Sequence, residues 1–410
     1  MKQRKYAVSL LLVAVLGVVV AGFCGCGKKE SVKLTVWGSE DCQEMLREMA
    51  DDFIEQHCKE ADIEIILRVE NEDTAADNAV SNPFKLADVF AFAGDQMPRL
   101  LNAGLLLPVE DAELVIEANG GPDSTAIQTA SDNGVLYAYP LTASNGYFMY
   151  YNAEYFSEND VRRLDHMLRV AEKAGKSVSM DWTSGWYIYS FFGGAGMHIN
   201  LAEDGRHNFC DWNQTTGTYK GVDVAQAMLD IASSKAFLNT NDEGFRNGVA
   251  SGEIIAGVNG PWNAEFVKYQ WGENYRAVKL PTYTLKGKQV QMSSFAGYKM
   301  VGVNANTESP KWASRFAAYI TNEENQLKRF TVTGECPSNV IAAQAEEVQS
   351  SPAVMALASQ APYSIRQSIA GPFWTPATVF GTVMASGNPD NLELQEILDD
   401  MVEAAQKPES

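Results

Sequence analysis

Apolar and polar positions alternate along Val32-Lys33-Leu34-Thr35-Val36-Trp37, the pattern of a strand with one buried face, and the run stops at Gly38-Ser39-Glu40-Asp41. The period then changes. Met45, Leu46, Met49, Phe53 and Ile54 recur at helical spacing behind Ser39, a residue type suited to an N-cap. A strand over 63–69, a polar acidic stretch and the continuous apolar run Asp88 to Ala93 follow, the last leading into Gly94-Asp95-Gln96. This β–α–β alternation predicts an α/β fold. Beyond Tyr139-Pro140, the aromatic strand Tyr147 to Asn152 opens a second region. There 161–175 places Leu164, Met167, Leu168 and Ala171 on one helical face, and 222–234 does the same with Val224, Met228 and Ile231. Strands are expected at 275–281 and 300–303, and a helix from Ser309-Pro310 with Trp312 on its buried face. After Gly334 the pattern reads as helix to the end, broken at Pro352, Pro362, Gly371-Pro372 and Gly387-Asn388-Pro389.

Two junctions carry candidate chemistry. In Gly257-Val258-Asn259-Gly260-Pro261-Trp262 a strand runs straight into a helix opening, with Gly260 free to take unusual backbone angles and Pro261 suited to a first helical turn. Open α/β sheets hold ligands beyond their strand ends, so Trp262 has a ligand-facing place available. Burial statistics alone divide it evenly between that role and core packing. Pro372-Phe373-Trp374 repeats the arrangement. In Asp181 to Tyr189, Ile188 continues toward Phe191 and Phe192 as a core face, which leaves Trp186, at the helix start, as the aromatic for a cleft. Ser39, Glu40, Asp41, Asp95 and Gln96 stand at strand ends, where ordinary capping competes with hydroxyl recognition.

Lys2, Arg4 and Lys5 precede an apolar run from Ala7 to Ala21, too short for a membrane-spanning helix and arranged as an export signal. The following Gly25-Cys26 resembles a lipoprotein processing site, which implies a signal peptide over 1–25 and lipidation of Cys26. From Cys26 onward, 29 Lys and Arg stand against 52 Asp and Glu, a formal charge of −23. Such a surface repels nucleic acid and disfavours anionic substrates. A chain of 410 residues calls for two lobes. Cys42, Cys58, Cys210 and Cys336 show no metal spacing. A helix of about 24 Å separates Cys42 from Cys58, so these two cannot pair. Cysteines left unpaired in an exported protein point to a reducing habitat.

These blocks together, with Asp88 to Gln96, Ala103-Gly104-Leu105-Leu106, Asn145-Gly146-Tyr147, Phe245 to Glu253, Asn259-Gly260-Pro261-Trp262, Leu280-Pro281-Thr282, Pro310-Lys311-Trp312 and Phe373-Trp374, resemble the extracellular solute-binding proteins of carbohydrate ABC transporters, close to the maltodextrin-binding branch. The resemblance implies an α/β two-lobed clamshell, each lobe a sheet flanked by helices. Its lobes are discontinuous, 26–143 plus 281–338 and 144–280 plus 339–410. It implies a monomer without cofactor or metal, lipid-anchored on the extracellular face of a Gram-positive bacterium's membrane, that binds an oligosaccharide, above all a maltooligosaccharide, and delivers it to permease subunits. By position it implies stacking by Trp262, Trp374 and Trp186 or Tyr187, a hydroxyl-binding carboxylate at Asp95, and polar contacts from Ser39, Glu40 and Asp41. Gln96 stands where that branch often has Arg, Phe92 replaces a stacking Trp and Ser144-Asn145 lies where a Glu is common, so the glycan stays open between maltodextrins and xylo- or other gluco-oligosaccharides. A surface glycoside hydrolase is the enzymatic alternative, but Gly-x-Ser-x-Gly is absent and the histidines are scattered. An adhesive surface lipoprotein is the third class.

Overall fold

The computed structural model describes residues 29–202, 204 and 206–408. The expected signal peptide and Cys26 lie outside them. Two open five-stranded sheets organise the chain. The first runs, in spatial order, Ala61–Val69, Glu30–Gly38, Val89–Ala93, Lys299–Val303 and Ala138–Thr142. Glu30–Gly38 is parallel to both of its neighbours, and Lys299–Val303 is antiparallel to both of its own. The second runs Phe237–Asn239, Ser177–Met180, Ile254–Asn259, Phe148–Asn152 and Tyr275–Val278, the first three parallel and the last two antiparallel to their neighbours. Alternation made the first strand readable: Val32, Leu34 and Val36 are buried while Lys33 is exposed. Phe148–Asn152 is buried along its whole length, as expected of a strand covered on both faces.

Helices seal these sheets where the sequence periodicity placed them. Gln43–His57 buries Met45, Leu46, Met49 and Phe53, and Pro310–Ile320 buries Trp312 and Phe316 against the same sheet. Leu164–Ala174 buries Leu164, Met167, Leu168 and Ala171 and stops at Gly175, whose φ of 63° is left-handed and therefore suits glycine. The C-terminal helices Trp374–Ala385 and Leu394–Ala405 share the core of the second sheet, in which Trp212 stacks on Phe192 with ring centres 4.2 Å apart. Among the described residues, no helix is long and apolar enough to cross a membrane.

Three expectations are corrected. The segment after residue 280, assigned above to the first lobe, places Tyr283, Leu285, Met292 and Phe295 in the core of the second, and the chain rejoins the first sheet only at Lys299. The region after Gly334 is not all helical: Ser364–Arg366 pairs in parallel with Ser294–Ala296. Ser39 makes no side-chain cap. Instead, Gln43 Nε2 reaches back to the carbonyl of Gly38 at 2.7 Å.

Because Trp212 is fully buried and stacked, Trp212→Ala is expected to cost about 3–5 kcal/mol of stability. Urea unfolding checks this, and an unchanged midpoint would contradict the packing described.

Candidate ligand-binding cleft

The carboxyl ends of the parallel strands open on one cleft of about 990 Å³. After Glu30–Gly38 come Ser39 and Asp41; after Ala61–Val69, Asn71, Glu72 and Asp73; after Val89–Ala93, Asp95 and Gln96. The second sheet contributes Asp181 after Ser177–Met180, Thr240 and Asp242 after Phe237–Asn239, and Trp262 after Ile254–Asn259. Strand polarity is what collects polar groups here, at the edge where open sheets hold ligands.

Trp262 lies half-buried in the cleft wall. Pro261 opens a 3₁₀ turn, Pro261–Asn263, and the backbone of Gly260 is ordinary extended chain with φ −93°. Glycine is needed there for space instead of unusual angles, since a Cβ at 260 would collide with Trp262 Cη2 and Cζ3. The indole Nε1 donates to Asp242 Oδ1 at 3.0 Å, and Asn263 Nδ2 donates to the same oxygen at 2.7 Å. Trp186 lies beside it, with ring centres 5.8 Å apart and planes 33° from parallel. Trp374 reaches the same cleft from the helix opened by Gly371–Phe373, with the buried Phe373 ring edge-on to it at 5.1 Å. Tyr187 is 8% exposed and contributes one edge to the lining, its hydroxyl pKa held well above normal by burial.

Opposite these rings stands Asp95. Burial pushes its carboxyl pKa up to about 6, against the opposing effect of a 2.7 Å bond donated by Gln367 Nε2 to Oδ2. Its Oδ1 is shielded from solvent and has no hydrogen-bond partner among the described residues. Asn145 lines the cleft at the chain crossing, its backbone N–H bonded to the carbonyl of Gly297. Gln96 also lines it, but its amide is engaged with the backbone of Asp73 and Ala76. At the rim, exposed Asp41 accepts from Arg246 Nη1 at 2.8 Å, a bond between the two lobes. Two expected residues lie elsewhere. Phe92 is wholly buried in the first lobe's core, packed on Phe90, because a strand covered on both faces offers no side chain to a ligand. Glu40 is exposed and outside the lining.

Sequence reasoning did not find the charges of the cleft floor. Lys299 Nζ lies 2.5 Å from Glu335 and 3.5 Å from Glu72, and Arg329 Nη1 is 3.9 Å from Glu335 and 3.2 Å from the Cys42 sulfur. Burial opposes the Lys299 charge, yet Glu335 and Glu72 outweigh it and hold the ammonium above its ordinary range. Burial likewise opposes the Glu335 charge, and Lys299 and Arg329 overcome it. These partners are far apart in sequence, so no local motif announces them. Asp181 and Asp242 did carry a signal, being polar residues just past strand ends. Asp181 accepts from the Thr183 N–H and hydroxyl, and burial raises its pKa.

Two open α/β lobes meeting over a polar, aromatic cleft define a two-lobed binding protein. The family model of bacterial extracellular solute-binding proteins matches residues 48–356. The chain belongs to that family. The galactooligosaccharide-binding protein of Bacillus subtilis (strain 168) is 25% identical over 431 aligned positions, covering 99% of this chain and 97% of that one. A solved structure with acarbose is 29% identical, with a TM-score of 0.79 over 92% of this chain and 99% of the other. A maltodextrin binding protein from L. casei BL23, solved without ligand, is 24% identical, with a TM-score of 0.73 over 92% and 99%.

Removing the floor's ammonium leaves buried carboxylates uncompensated. Lys299→Met is expected to lose about 3–5 kcal/mol in urea unfolding.

Proposed function

We propose that this protein is the extracellular sugar-binding subunit of an ABC importer, held to the membrane by lipid on Cys26, and that it captures an oligosaccharide and presents it to permease subunits. One observation carries the reading: the half-buried indoles of Trp186, Trp262 and Trp374 share a cleft with Asp95, whose Oδ1 lacks a partner among the described residues. A pyranose has C–H faces that lie flat on aromatic rings and a rim of hydroxyls that need directional acceptors. Rings on the second lobe and a carboxylate on the first supply both, and a hydrogen bond to a charged acceptor contributes about 1.5–3 kcal/mol. In this reading Trp262, Trp374, Trp186 and the edge of Tyr187 stack, Asp95 and Asn145 take hydroxyls, and Ser39, Asp41 and Gln96 shape the polar rim.

A maltooligosaccharide is the first ligand to test. The named relatives are a maltodextrin binding protein and a galactooligosaccharide-binding protein, so galacto-oligosaccharides stand beside xylo-oligosaccharides as alternatives. Because the ligand touches both lobes together only when they close, it favours the closed form, and the permease reads that form.

One observation favours an enzymatic reading, since a carboxyl with a pKa near 6 resembles a glycosidase acid. Asp181 and Asp242 are engaged by Thr183 and by Trp262 with Asn263, which supports capture without chemistry. Cleavage products after prolonged incubation with maltooligosaccharides would overturn it.

Calorimetry tests the aromatic wall: Trp262→Ala and Trp374→Ala are each expected to weaken sugar binding at least tenfold with little change in unfolding midpoint. Protonation removes the charge of Asp95 and turns one of its oxygens into a donor, so affinity is expected to fall as pH drops below about 6 and to level off above 7. Asp95→Asn should flatten the profile. The same raised pKa works oppositely on stability, because the folded state binds the extra proton and gains stability as pH falls from about 6 toward the ordinary carboxylate range.

A further inference from the structure

We infer that Gln367 is a positioning residue of the cleft, whose side-chain amide joins the Trp186 indole to the Asp95 carboxylate and so orients both groups toward a ligand held between the lobes. The role in ligand capture rests on the sugar-binding reading above, while the positioning itself rests on geometry. Gln367 Oε1 accepts from Trp186 Nε1 at 2.7 Å, and its Nε2 donates to Asp95 Oδ2 at 2.7 Å. The polarity is dictated by the partners. An indole N–H only donates and an ionised carboxylate only accepts, so a side chain joining them must offer an acceptor at one end and a donor at the other. A carboxamide does this in a single rigid plane.

The backbone beneath the amide is fixed as well. Gln367 N donates to the carbonyl of Ala296 at 3.0 Å, continuing the Ser364–Arg366 pairing with Ser294–Ala296, and the carbonyl of Ser368 accepts from Leu201 N at 2.7 Å. Gln367 therefore stands on a rigid base between Asp95 of the first lobe and Trp186 of the second. The amide takes one lone pair of Oδ2, and Oδ1, which has no partner among the described residues, keeps its full acceptor capacity. The plane of the carboxylate is also set relative to the indole face on which the ring would lie. The remaining Trp186 contacts fit this account: its carbonyl accepts from the Tyr147 hydroxyl at 2.8 Å, which fixes the backbone and leaves the indole edge to Gln367.

The test compares wild type with Gln367→Leu, which removes both bonds, and Gln367→Glu, which keeps the acceptor for Trp186 but replaces the donor to Asp95 with a second carboxylate. Without ligand, carboxyl NMR follows the Asp95 titration and indole N–H resonances report Trp186. Both variants are expected to move the Asp95 midpoint upward, Gln367→Glu the further, and only Gln367→Leu to displace the Trp186 indole signal. With maltotriose as the probe, Gln367→Leu should weaken binding roughly tenfold to a hundredfold, and its effect should be clearly smaller in an Asp95→Asn background, where only the Trp186 bond is left to lose. An Asp95 titration that does not move in either variant, or losses that add fully in the double variant, would overturn the inference. If wild type binds neither maltotriose nor galacto- or xylo-oligosaccharides, the sugar reading fails, and the ligand-free titration still decides whether Gln367 positions Asp95.

Discussion

Burying the ammonium of Lys299 obliges the fold to bring it carboxylates from distant parts of the chain. Glu335 arrives just after the Glu323–Thr333 helix and Glu72 from the loop beyond Ala61–Val69, at 2.5 and 3.5 Å. Arg329, buried beneath the cleft and 3.9 Å from Glu335, balances the second negative charge, so Glu72 and Glu335 stand against Lys299 and Arg329. Such a cluster adds little net stability over an apolar core of the same shape, because desolvation offsets most of the attraction. Its value here is geometric. It ties the last strand of the first sheet, the helix behind it and the loop in front to a common point, and the Lys299 ammonium lies 5.5 Å from the centre of the Trp262 ring in the other lobe. The floor thus fixes where the two lobes face each other.

Above that floor the lobes differ in chemistry. The second presents indoles whose N–H groups are already bonded, Trp262 to Asp242 and Trp186 to Gln367, so the rings offer mainly their faces. The first presents carboxylates and amides. A flat apolar ligand would satisfy the indoles of the second lobe and strand the polar groups of the first, and an anion would meet Asp73 and Asp95 on one side and Asp181 and Asp242 on the other. A neutral molecule that is apolar on its faces and hydroxylated at its edges answers both.

Local pattern carried much of this. The alternation of Val32 to Trp37, the helical stripe from Met45 to Ile54 and the Pro-Trp openings at 261 and 373–374 all follow from interactions between near neighbours, and the aromatics they launch do reach the cleft. Reading failed where a decision belonged to tertiary structure. Phe92 sits in an unbroken apolar run, which has no polar face to say which side a residue takes. Residues 282–291 form a hairpin whose sequence does not state on which lobe it packs. Gln367 follows a three-residue strand, Ser364–Arg366, whose partner Ser294–Ala296 lies far upstream, so its two bonds have no local signature. Lys299 and Glu335 were invisible for the same reason.

Gly260 shows how such a fold can separate two kinds of damage. Its N–H is bonded to Asn259 Oδ1 at 2.7 Å and its carbonyl accepts from the buried Tyr150 hydroxyl at 2.8 Å, so the main chain has no slack. A methyl group added there must therefore displace the Trp262 ring, which borders open space, before it disturbs the sheet. Inheritance of such a change would leave a protein that is made, exported and folded in normal amounts, yet poorer at its task. Surveys of variants that score abundance would pass it as neutral, and only a measurement of ligand affinity would reveal that a residue without a side chain shapes the wall.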